Sequence, residues 1–444
     1  MSADPAVTRK ALAAACNEVR DGQAADAISG ASVVDGLDAR GVVPAFVVSP
    51  GDTDEAAAVM RVAAEHELAV VARGGGSRLG WGALPSRCDL VIDTSRMGAV
   101  LEHAAGDLVA RVQAGARFGD VAAALAAAGQ EIALDVPAEA TVGGMIGTGL
   151  AGPRRLRYGT PRDLLIGITI VRADGTVAKS GGKVVKNVAG YDLGKLMAGA
   201  AGTLALVTEA TFRLHPLPAA RAYVTADYVA VSVACDAVAV AANSPLVASA
   251  VELCRPDAAG PIQVSVLLEG SADGVAARAG RMSGLLGTAE VTDDPPEWWP
   301  GAPGTGEGET LVQVSFWVSA LGSVLDAIEA AAATAGVSPV IAGPAGAGVL
   351  YARVGGGGLA DEVPASPEVA SAAAVAEFVG TLRAALGSGR GGVTVLAAPA
   401  QVQTELASRG GMYGTVPGLA LMRAVKNQFD PGHRLAPGRF PEGN

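Results

Sequence analysis

Three stretches of this chain hold residues whose types and spacing can do chemistry. The first, residues 72–82, reads A-R-G-G-G-S-R-L-G-W-G. Three consecutive glycines, Gly74, Gly75 and Gly76, leave the backbone open to positive φ and let successive N–H groups converge on one point. That makes a cradle for an anion without a charged side chain, although a tight turn uses the same residues. The second stretch, Thr141 to Gly152, reads T-V-G-G-M-I-G-T-G-L-A-G. The third places Arg154, Arg155, Arg157 and Arg162 within nine residues, as a solvated face or as cations turned to a partner or substrate. Two glycine clusters some seventy residues apart, followed by K-N-V-A-G-Y-D-L at 186–193, suit a large phosphate-bearing ligand clasped from two sides.

Other chemistries are excluded by pattern. Gly147-Thr-Gly-Leu-Ala-Gly152 formally fits G-x-G-x-x-G, but no clear apolar strand precedes it and Pro153-Arg154-Arg155 follows where a helix should begin. There is no G-x-x-x-x-G-K-[ST] loop. The cysteines (Cys16, Cys88, Cys235, Cys254) and histidines (His66, His103, His215, His433) are dispersed, with no C-x-x-C, H-x-H or H-E-x-x-H. No metal site, iron–sulfur cluster or disulfide framework is expected from such spacing. A net charge of −11 opposes nucleic-acid binding.

The elements that must position these residues follow from periodicity. With 444 residues, half of them apolar, two or three domains with sizeable cores are expected. The many glycines and alanines suit close backbone packing around a ligand, or a GC-rich genome. Residues 6–30 read as an Ala-rich helix and a loose connection, and the organised part begins near Val42. Ala45–Val48 is a short strand, and Asp52 caps a helix to about His66, with Glu55 in the capping-box position. Leu68–Ala72 is a second strand, so the first glycine loop lies at a strand's carboxyl end, where α/β folds place ligands. Leu90–Asp93, Leu108–Val112, Ile166–Arg172, Val177–Lys179 and Thr203–Leu214 read as further strands. Asp174-Gly175 reads as a two-residue hairpin turn, and Val121–Ala128 as a short helix ended by Gly129. His215-Pro-Leu-Pro218 marks a boundary. Beyond it, apolar runs (262–268, 312–316, 393–397) alternate with helical stretches near 272–286, 321–335 and 367–386. This is the pattern of an antiparallel sheet with helices on one face. Long loops, Asp293–Glu309 with Trp298-Trp299 and Gly355–Gly358, interrupt it. Leu419–Asn427 is a last helix, followed by an extended tail. No signal peptide or membrane span is read, and a cytoplasmic location is expected.

Taken together, R-G-G-G-S (73–77), T-V-G-G (141–144), R-Y-G (157–159), R-D (162–163), K-N-V-A-G-Y-D-L-G-K-L (186–196) and G-T-L-A-L-V-T-E-A (202–210) resemble the FAD-binding domain of the vanillyl-alcohol oxidase/PCMH flavoproteins. Within that family the resemblance is to the GlcE-like FAD-binding subunits of glycolate oxidase, whose L-M-R-x-x-K-x-x-F-D-P…P-G-R-F ending Leu421–Phe440 reproduces. The resemblance implies an α+β fold: a PCMH-type FAD-binding domain of two α/β subdomains plus an α+β cap with an antiparallel sheet. The implied layout is an N-terminal helical extension (1–41), the FAD domain (42–218), the cap (219–400) and a C-terminal segment returning to the FAD domain (401–444).

It further implies that the FAD pyrophosphate lies on N–H groups of the 73–77 and 141–148 loops. The implied cofactor contacts are Arg73, Gly74, Gly75, Gly76, Ser77 and Arg78 in the first loop. The second supplies Thr141, Val142, Gly143, Gly144, Gly147 and Thr148. Tyr158, Gly159, Asp163, Ile168, Lys186, Asn187, Tyr191 and Val207 complete the set. Covalent members carry a flavin-linking histidine where this chain has Ser77, so the FAD is expected to be non-covalent. A 2-hydroxy-acid oxidising flavoenzyme also needs a base and a cation for the carboxylate. The histidines that supply these in GlcD-type relatives are missing, since none lies between His215 and His433. Arg353 is a candidate carboxylate clamp, and Tyr351 and Tyr413 are candidate bases, each equally readable as an ordinary strand or loop residue. The expectation is an FAD-carrying subunit working with a GlcD-like flavoprotein and a GlcF-like iron–sulfur subunit. The alternatives are a stand-alone FAD oxidoreductase and a non-catalytic scaffold.

Overall fold

The computed structural model of the chain describes residues 4–22, 42–182, 192–256, 260–287, 289–299, 306, 308–355 and 370–443. Lys186, Asn187 and Tyr191 lie outside them. Two compact units emerge. Unit 1 comprises residues 1–151, 160–217 and 416–444, and unit 2 comprises 152–159 and 218–415.

Unit 1 contains two larger sheets and a two-stranded one that pairs Gln130–Glu131 with His215–Pro216. In the first, strands run in the order Val19–Asp21, Phe46–Val48, Leu90–Asp93, Val70–Arg73, and the last three are parallel. Val19–Asp21 is antiparallel to Phe46–Val48. The helix expected near the N-terminus is Pro5–Ala15, with Leu12 fully buried, whereas the strand Val19–Asp21 replaces part of the loose connection expected after it. Helix Thr53–Glu65 begins where Asp52 accepts the N–H of Asp54 (2.9 Å) and Glu55 (2.8 Å). Glu55 reaches back to the N–H of Gly51 (2.8 Å) rather than to Asp52, one residue beyond the expected capping box. Its face of Ala56, Val59, Met60 and Ala63 packs into a core with Val48, Val70, Leu90 and Ile92.

The second sheet is antiparallel, ordered Val100–Ala104, Val109–Gln113, Leu206–Arg213, Leu165–Val171, Val177–Gly181. The turn at Asp174 spans three residues rather than two. Arg172 N–H donates to Thr176 O (3.0 Å), and Gly175 takes φ +80° inside the bend. The segment 141–148, read as a loop, is a helix, Val142–Thr148, because Thr141 caps it and Met145 and Ile146 bury against Phe118, Leu164 and Phe212.

The C-terminal return to unit 1 begins at 416, not 401, since helix Ala400–Leu406 belongs to unit 2. It is fastened by a buried ion pair on helix Leu419–Phe429. Lys426 Nζ donates to Asp430 Oδ2 (2.6 Å), Thr203 O (2.7 Å) and Leu435 O (3.1 Å). Leu435 then bridges Val70 in parallel at the strand leading to the first glycine loop.

Unit 2 is an eight-stranded sheet, antiparallel at every pairing. Its order is Glu290–Thr292, Ala220–Tyr228, Ile262–Gly270, Ala250–Arg255, Val340–Gly343, Val349–Val354, Thr310–Phe316, Gly391–Ala397. Strict alternation gives it two unlike faces. Val224, Val266, Leu253, Leu350, Val314 and Val395 share one face, all fully buried, and helices Val231–Asn243, Ala272–Leu286, Leu321–Ala335 and Ala372–Arg390 supply its apolar cover. The other face carries Arg221, Thr225, Ser265, Glu269, Glu252, Tyr351, Arg353 and Gln313. The stretch Val318–Ala335 is apolar and long enough to cross a bilayer, but its Val324, Leu325 and Ile328 are buried within unit 2.

Candidate functional site

The first glycine loop starts from a locked strand end. Arg73 and Asp93 are register partners where two parallel strands finish, and Arg73 Nη1 donates to Asp93 Oδ2 at 2.8 Å with both side chains buried. The Arg73 side chain is therefore committed beneath the loop and fixes its take-off. Beyond it, the N–H groups of Gly74, Gly75, Gly76 and Ser77 donate to no acceptor among the described residues. Two of the glycines are sterically required. A Cβ on Gly74 would stand 2.0 Å from Thr141 Oγ1, and Gly76 takes φ +79°. Ser77 Oγ accepts from Arg78 Nη1 (3.2 Å), and the Arg78 guanidinium lies over the Trp81 ring at 5.0 Å. Burial lowers the Arg78 pKa, and the Glu139 carboxylate opposes that.

The second glycine cluster meets the first at that Gly74–Thr141 contact, but it does not present the amides expected of it. Val142 N–H donates to Ala116 O (3.0 Å) and Gly143 N–H to Ala114 O (2.6 Å). Gly144 N–H goes to Thr141 Oγ1 (3.2 Å) and Met145 N–H to Thr141 O (2.8 Å). Its glycines serve close packing instead: a Cβ on Gly143 would lie 3.0 Å from Ala114 Cβ. The Thr148 hydroxyl donates back to Gly144 O (2.7 Å). Gly147 accepts from Ala201 N–H (2.7 Å), and its missing Cβ would face only Gly202 N, at 4.0 Å. Gly202 in turn takes φ +73° and stands 3.8 Å by its absent Cβ from Ala72. Three segments far apart in sequence, 72–77, 141–148 and 199–203, thus converge through glycines. Ile168 is buried against Gly194, and Val207 is half-buried at a bulge in its strand. Asp163 is a cap: it accepts the Thr160 N–H (2.7 Å) and hydroxyl (2.8 Å).

Tyr158 and Gly159, expected at the cofactor, fall in unit 2. Residues 152–159 form a strap across the polar sheet face, leaving through Gly159 at φ 82°. Glu269, 3% exposed, receives Arg154 Nη1 (3.4 Å), Arg221 Nε (3.0 Å) and the Tyr158 hydroxyl (3.3 Å). Arg155 Nη2 donates to the Tyr351 hydroxyl oxygen at 3.0 Å. Tyr351 is 8% exposed, and burial raises its pKa, with Arg155 opposing and the Glu252 carboxylate reinforcing. Burial thus favours the protonated phenol, whose oxygen accepts from Arg155. Arg353, two residues on and on the same face, is half-buried and makes no side-chain hydrogen bond or ion pair among the described residues. Tyr413 sits in a turn whose carbonyls, at Arg409, Gly411 and Met412, are held by Arg383.

Asp93 and Glu269 escaped the sequence reading. The first is signalled only by its register with Arg73, the second only by the arginine cluster, of which Arg154 takes it as counter-ion together with the distant Arg221. Among the described residues no three His, Cys, Asp or Glu are grouped to hold a metal. Burial pushes the thiols of Cys88 and Cys254 to about 12 and that of Cys235 to about 11, so none is a thiolate at neutral pH.

These features define an α+β FAD-binding fold of the PCMH type with an antiparallel cap sheet. Residues 44–181 match the family described as FAD binding domain. Glycolate oxidase subunit GlcD of Bacillus subtilis is 37% identical over 188 residues, 42% of this chain and 40% of that protein. D-lactate dehydrogenase of Archaeoglobus fulgidus is 40% identical over 171 residues, 38% of each. The chain thus spans about two fifths of the curated relatives it matches. The crystal structure of p-cresol methylhydroxylase with substrate bound superposes with a TM-score of 0.72 at 16% identity, over 98% of this chain and 96% of that one.

Proposed function

We propose that this chain is an FAD-dependent oxidoreductase of 2-hydroxy acids, working as a GlcE-like subunit of a glycolate or related oxidase complex. The observation that carries the cofactor reading is the run of four unpartnered N–H groups from Gly74 to Ser77. They fit a pyrophosphate, because successive amides at glycine bind an anion without adding charge to an acidic protein. Arg73–Asp93 would hold this cradle in place, and Thr141 would wall it. When bound, FAD supplies the acceptor for the two electrons released as CH–OH becomes C=O. Ser77 stands where covalent members carry the flavin-linking histidine, which supports a non-covalently held cofactor. The hydroxy-acid class rests on the names of the relatives, glycolate oxidase subunit and D-lactate dehydrogenase. The GlcD-like and GlcF-like partners, and a cytoplasmic location, belong to the same proposal.

A second reading, a stand-alone oxidoreductase, is favoured by one observation: the unpaired Arg353 beside Tyr351 in unit 2. Purification decides between them. The subunit reading expects a yellow protein that loses its flavin on acid precipitation and is bleached by glycolate or D-lactate only when partners are added. Bleaching by the isolated chain establishes the stand-alone enzyme. A colourless chain that takes up no FAD leaves a scaffold. Gly75→Val is expected to lose the flavin, since a Cβ there already meets Glu139 O at 3.0 Å and further branches would crowd the amides. Undiminished flavin content in that variant would refute the cradle.

A further inference from the structure

The C-terminal segment 419–444 differs in charge from the acidic chain it closes. It carries Arg423, Lys426, Arg434 and Arg439 against Asp430 and Glu442, while the whole chain stands at −11. Within unit 1, a cavity of about 200 Å³ opens on this segment, lined by Arg423, Lys426, Asn427, His433 and Phe440. We propose that this cavity is a site for a phosphate group, free or carried by a small ester, separate from the glycine cradle at 74–77. The site does not depend on the cofactor reading.

The helix Leu419–Phe429 sets Arg423 and Asn427 at i and i+4, on one face. The turn beyond the helix brings His433 to the same cavity and is fixed from below. Lys426 Nζ spends its three donors on Asp430 Oδ2, Thr203 O and Leu435 O. Asp430 accepts the N–H groups of Arg434 (3.1 Å) and Leu435 (2.7 Å) on its carboxylate, and that of His433 (3.0 Å) on its carbonyl. Inside this frame His433 takes φ 48°, a left-handed conformation that a side chain-bearing residue holds at a cost. The lysine and aspartate cancel each other's charge and position the imidazole. Arg434 donates to Ala173 O (2.9 Å), and the buried Arg439 acts on the Cys88 thiol; neither lines the cavity. Arg423 and His433 are therefore the lining groups that can offer charge to a ligand.

Three donor groups from two elements suit a tetrahedral anion. A guanidinium has five N–H donors in a fork, so Arg423 can keep a protein neighbour and still present an edge to an oxyanion. Asn427 and His433 are exposed, and their side chains make no hydrogen bond or ion pair among the described residues. A carboxylate has two oxygens in one plane, which one guanidinium satisfies. A phosphate has three or four oxygens splayed in space, and Arg423, Asn427 and His433 can share them. A dianion also draws a proton onto the imidazole and so gains a second cation. Phe440, buried beside these groups, is an apolar wall for the carbon part of an ester. Leu435, two residues past His433, bridges Val70 on the strand that leads to the first glycine loop, so a bound phosphate would steady the tail against that strand.

The test is calorimetric titration of the full chain, as purified with its flavin, with inorganic phosphate, glycerol 3-phosphate and acetate at constant ionic strength. Phosphate is expected to bind one Arg423-dependent site, and acetate at least roughly tenfold more weakly. Tighter binding of the ester identifies an organic phosphate and tighter binding of the ion a free one; either supports the site. Arg423→Gln should weaken phosphate by roughly ten- to a hundredfold, the range of a charged hydrogen-bonded contact, and Arg423→Lys should restore part of the loss. His433→Asn, which keeps a residue that tolerates positive φ, and Asn427→Ala should each weaken it several-fold, with melting temperature and flavin content unchanged. Equal affinity for acetate and phosphate, or undiminished phosphate binding in Arg423→Gln, overturns the proposal. Release of the bound flavin by phosphate merges the cavity with the cofactor site and overturns it as well. A flavin-loaded chain that ignores phosphate removes the site and leaves the cofactor reading standing. A chain that takes no flavin yet binds phosphate through Arg423 does the reverse.

Discussion

Replacing Gly74 with alanine probes the junction of the two glycine clusters through one atom. The added Cβ would lie 2.0 Å from Thr141 Oγ1 and 3.2 Å from Thr141 Cβ, against ordinary contacts of 3.4 Å and beyond. Gly74 does not need positive φ, so the effect is steric and not a backbone penalty. Thr141 has no harmless way to yield, because its Oγ1 accepts the Gly144 N–H and starts the helix Val142–Thr148. Overpacking of this kind costs ~1–3 kcal/mol, and a displaced cap adds ~1 kcal/mol. The lost freedom of the unfolded glycine returns ~0.5 kcal/mol. Gly74→Ala is therefore expected to destabilise unit 1 by about 2–3 kcal/mol and to weaken FAD, since the loop amides move with the clash. Thr141→Ala alone should cost only the cap, about 1 kcal/mol. The double variant removes the clashing oxygen and should be less destabilised than the sum of the singles by about 1–2 kcal/mol. The assay is urea unfolding followed by tryptophan fluorescence, with flavin affinity from ultrafiltration. Additive singles, or a Gly74→Ala protein with native stability and flavin affinity, would refute the steric argument.

Three other perturbations follow from buried groups. Asp93→Asn leaves the Arg73 guanidinium buried without its counter-charge and should cost ~3–5 kcal/mol, whereas Arg73→Met with Asp93→Leu should cost less; melting curves compare them. Lys426→Met strands the fully buried Asp430 and detaches the tail from Thr203 and Leu435. A loss of ~3–5 kcal/mol and release of residues 430–440 to proteolysis are expected, and an intact, protected tail would refute the role given to the ion pair. Cys88 and Cys254, with thiols pushed up from 9.0 to about 12, keep their protons in the folded chain while the unfolded chain ionises. Their contribution to stability is complete below pH 9 and is lost as pH rises towards 12. Native protein at pH 8 should leave both unlabelled by iodoacetamide, and alkaline destabilisation should be smaller in a Cys88→Ala, Cys254→Ala protein.

Local signals carried much of the fold. The parallel strands at 46–48, 70–73 and 90–93, the Asp52 cap and the alternating cap-domain strands all declare themselves over a few residues, by period two, by a capping side chain or by a glycine bend. The first glycine loop was legible for the same reason: three adjacent glycines after an apolar run have few other uses. What stayed hidden depends on contacts between distant residues. A glycine-rich run reads as a loop by propensity, yet 142–148 is helical because Thr141 caps it and Met145 and Ile146 have a core to enter. The amides of that helix were expected to hold an anion, but they are satisfied by Ala114, Ala116 and Thr141, residues whose proximity no spacing rule announces.

The arginine cluster shows how far the same limit reaches into function. Read along the chain, Arg154, Arg155 and Tyr158 belong with the glycine motifs on either side of them, and the cofactor was the natural destination. In the fold they pair with Glu269 and Tyr351, more than a hundred residues away, and act on the cap sheet. Their effect there is selective. By committing themselves to Glu269 and to the oxygen of Tyr351, they leave the O–H of Tyr351 and the guanidinium of Arg353 as the unassigned donors of that strand. Arginines alone in a sequence predict attraction for any anion. Arginines with known partners report instead which anion a face has already taken, here the Glu269 carboxylate.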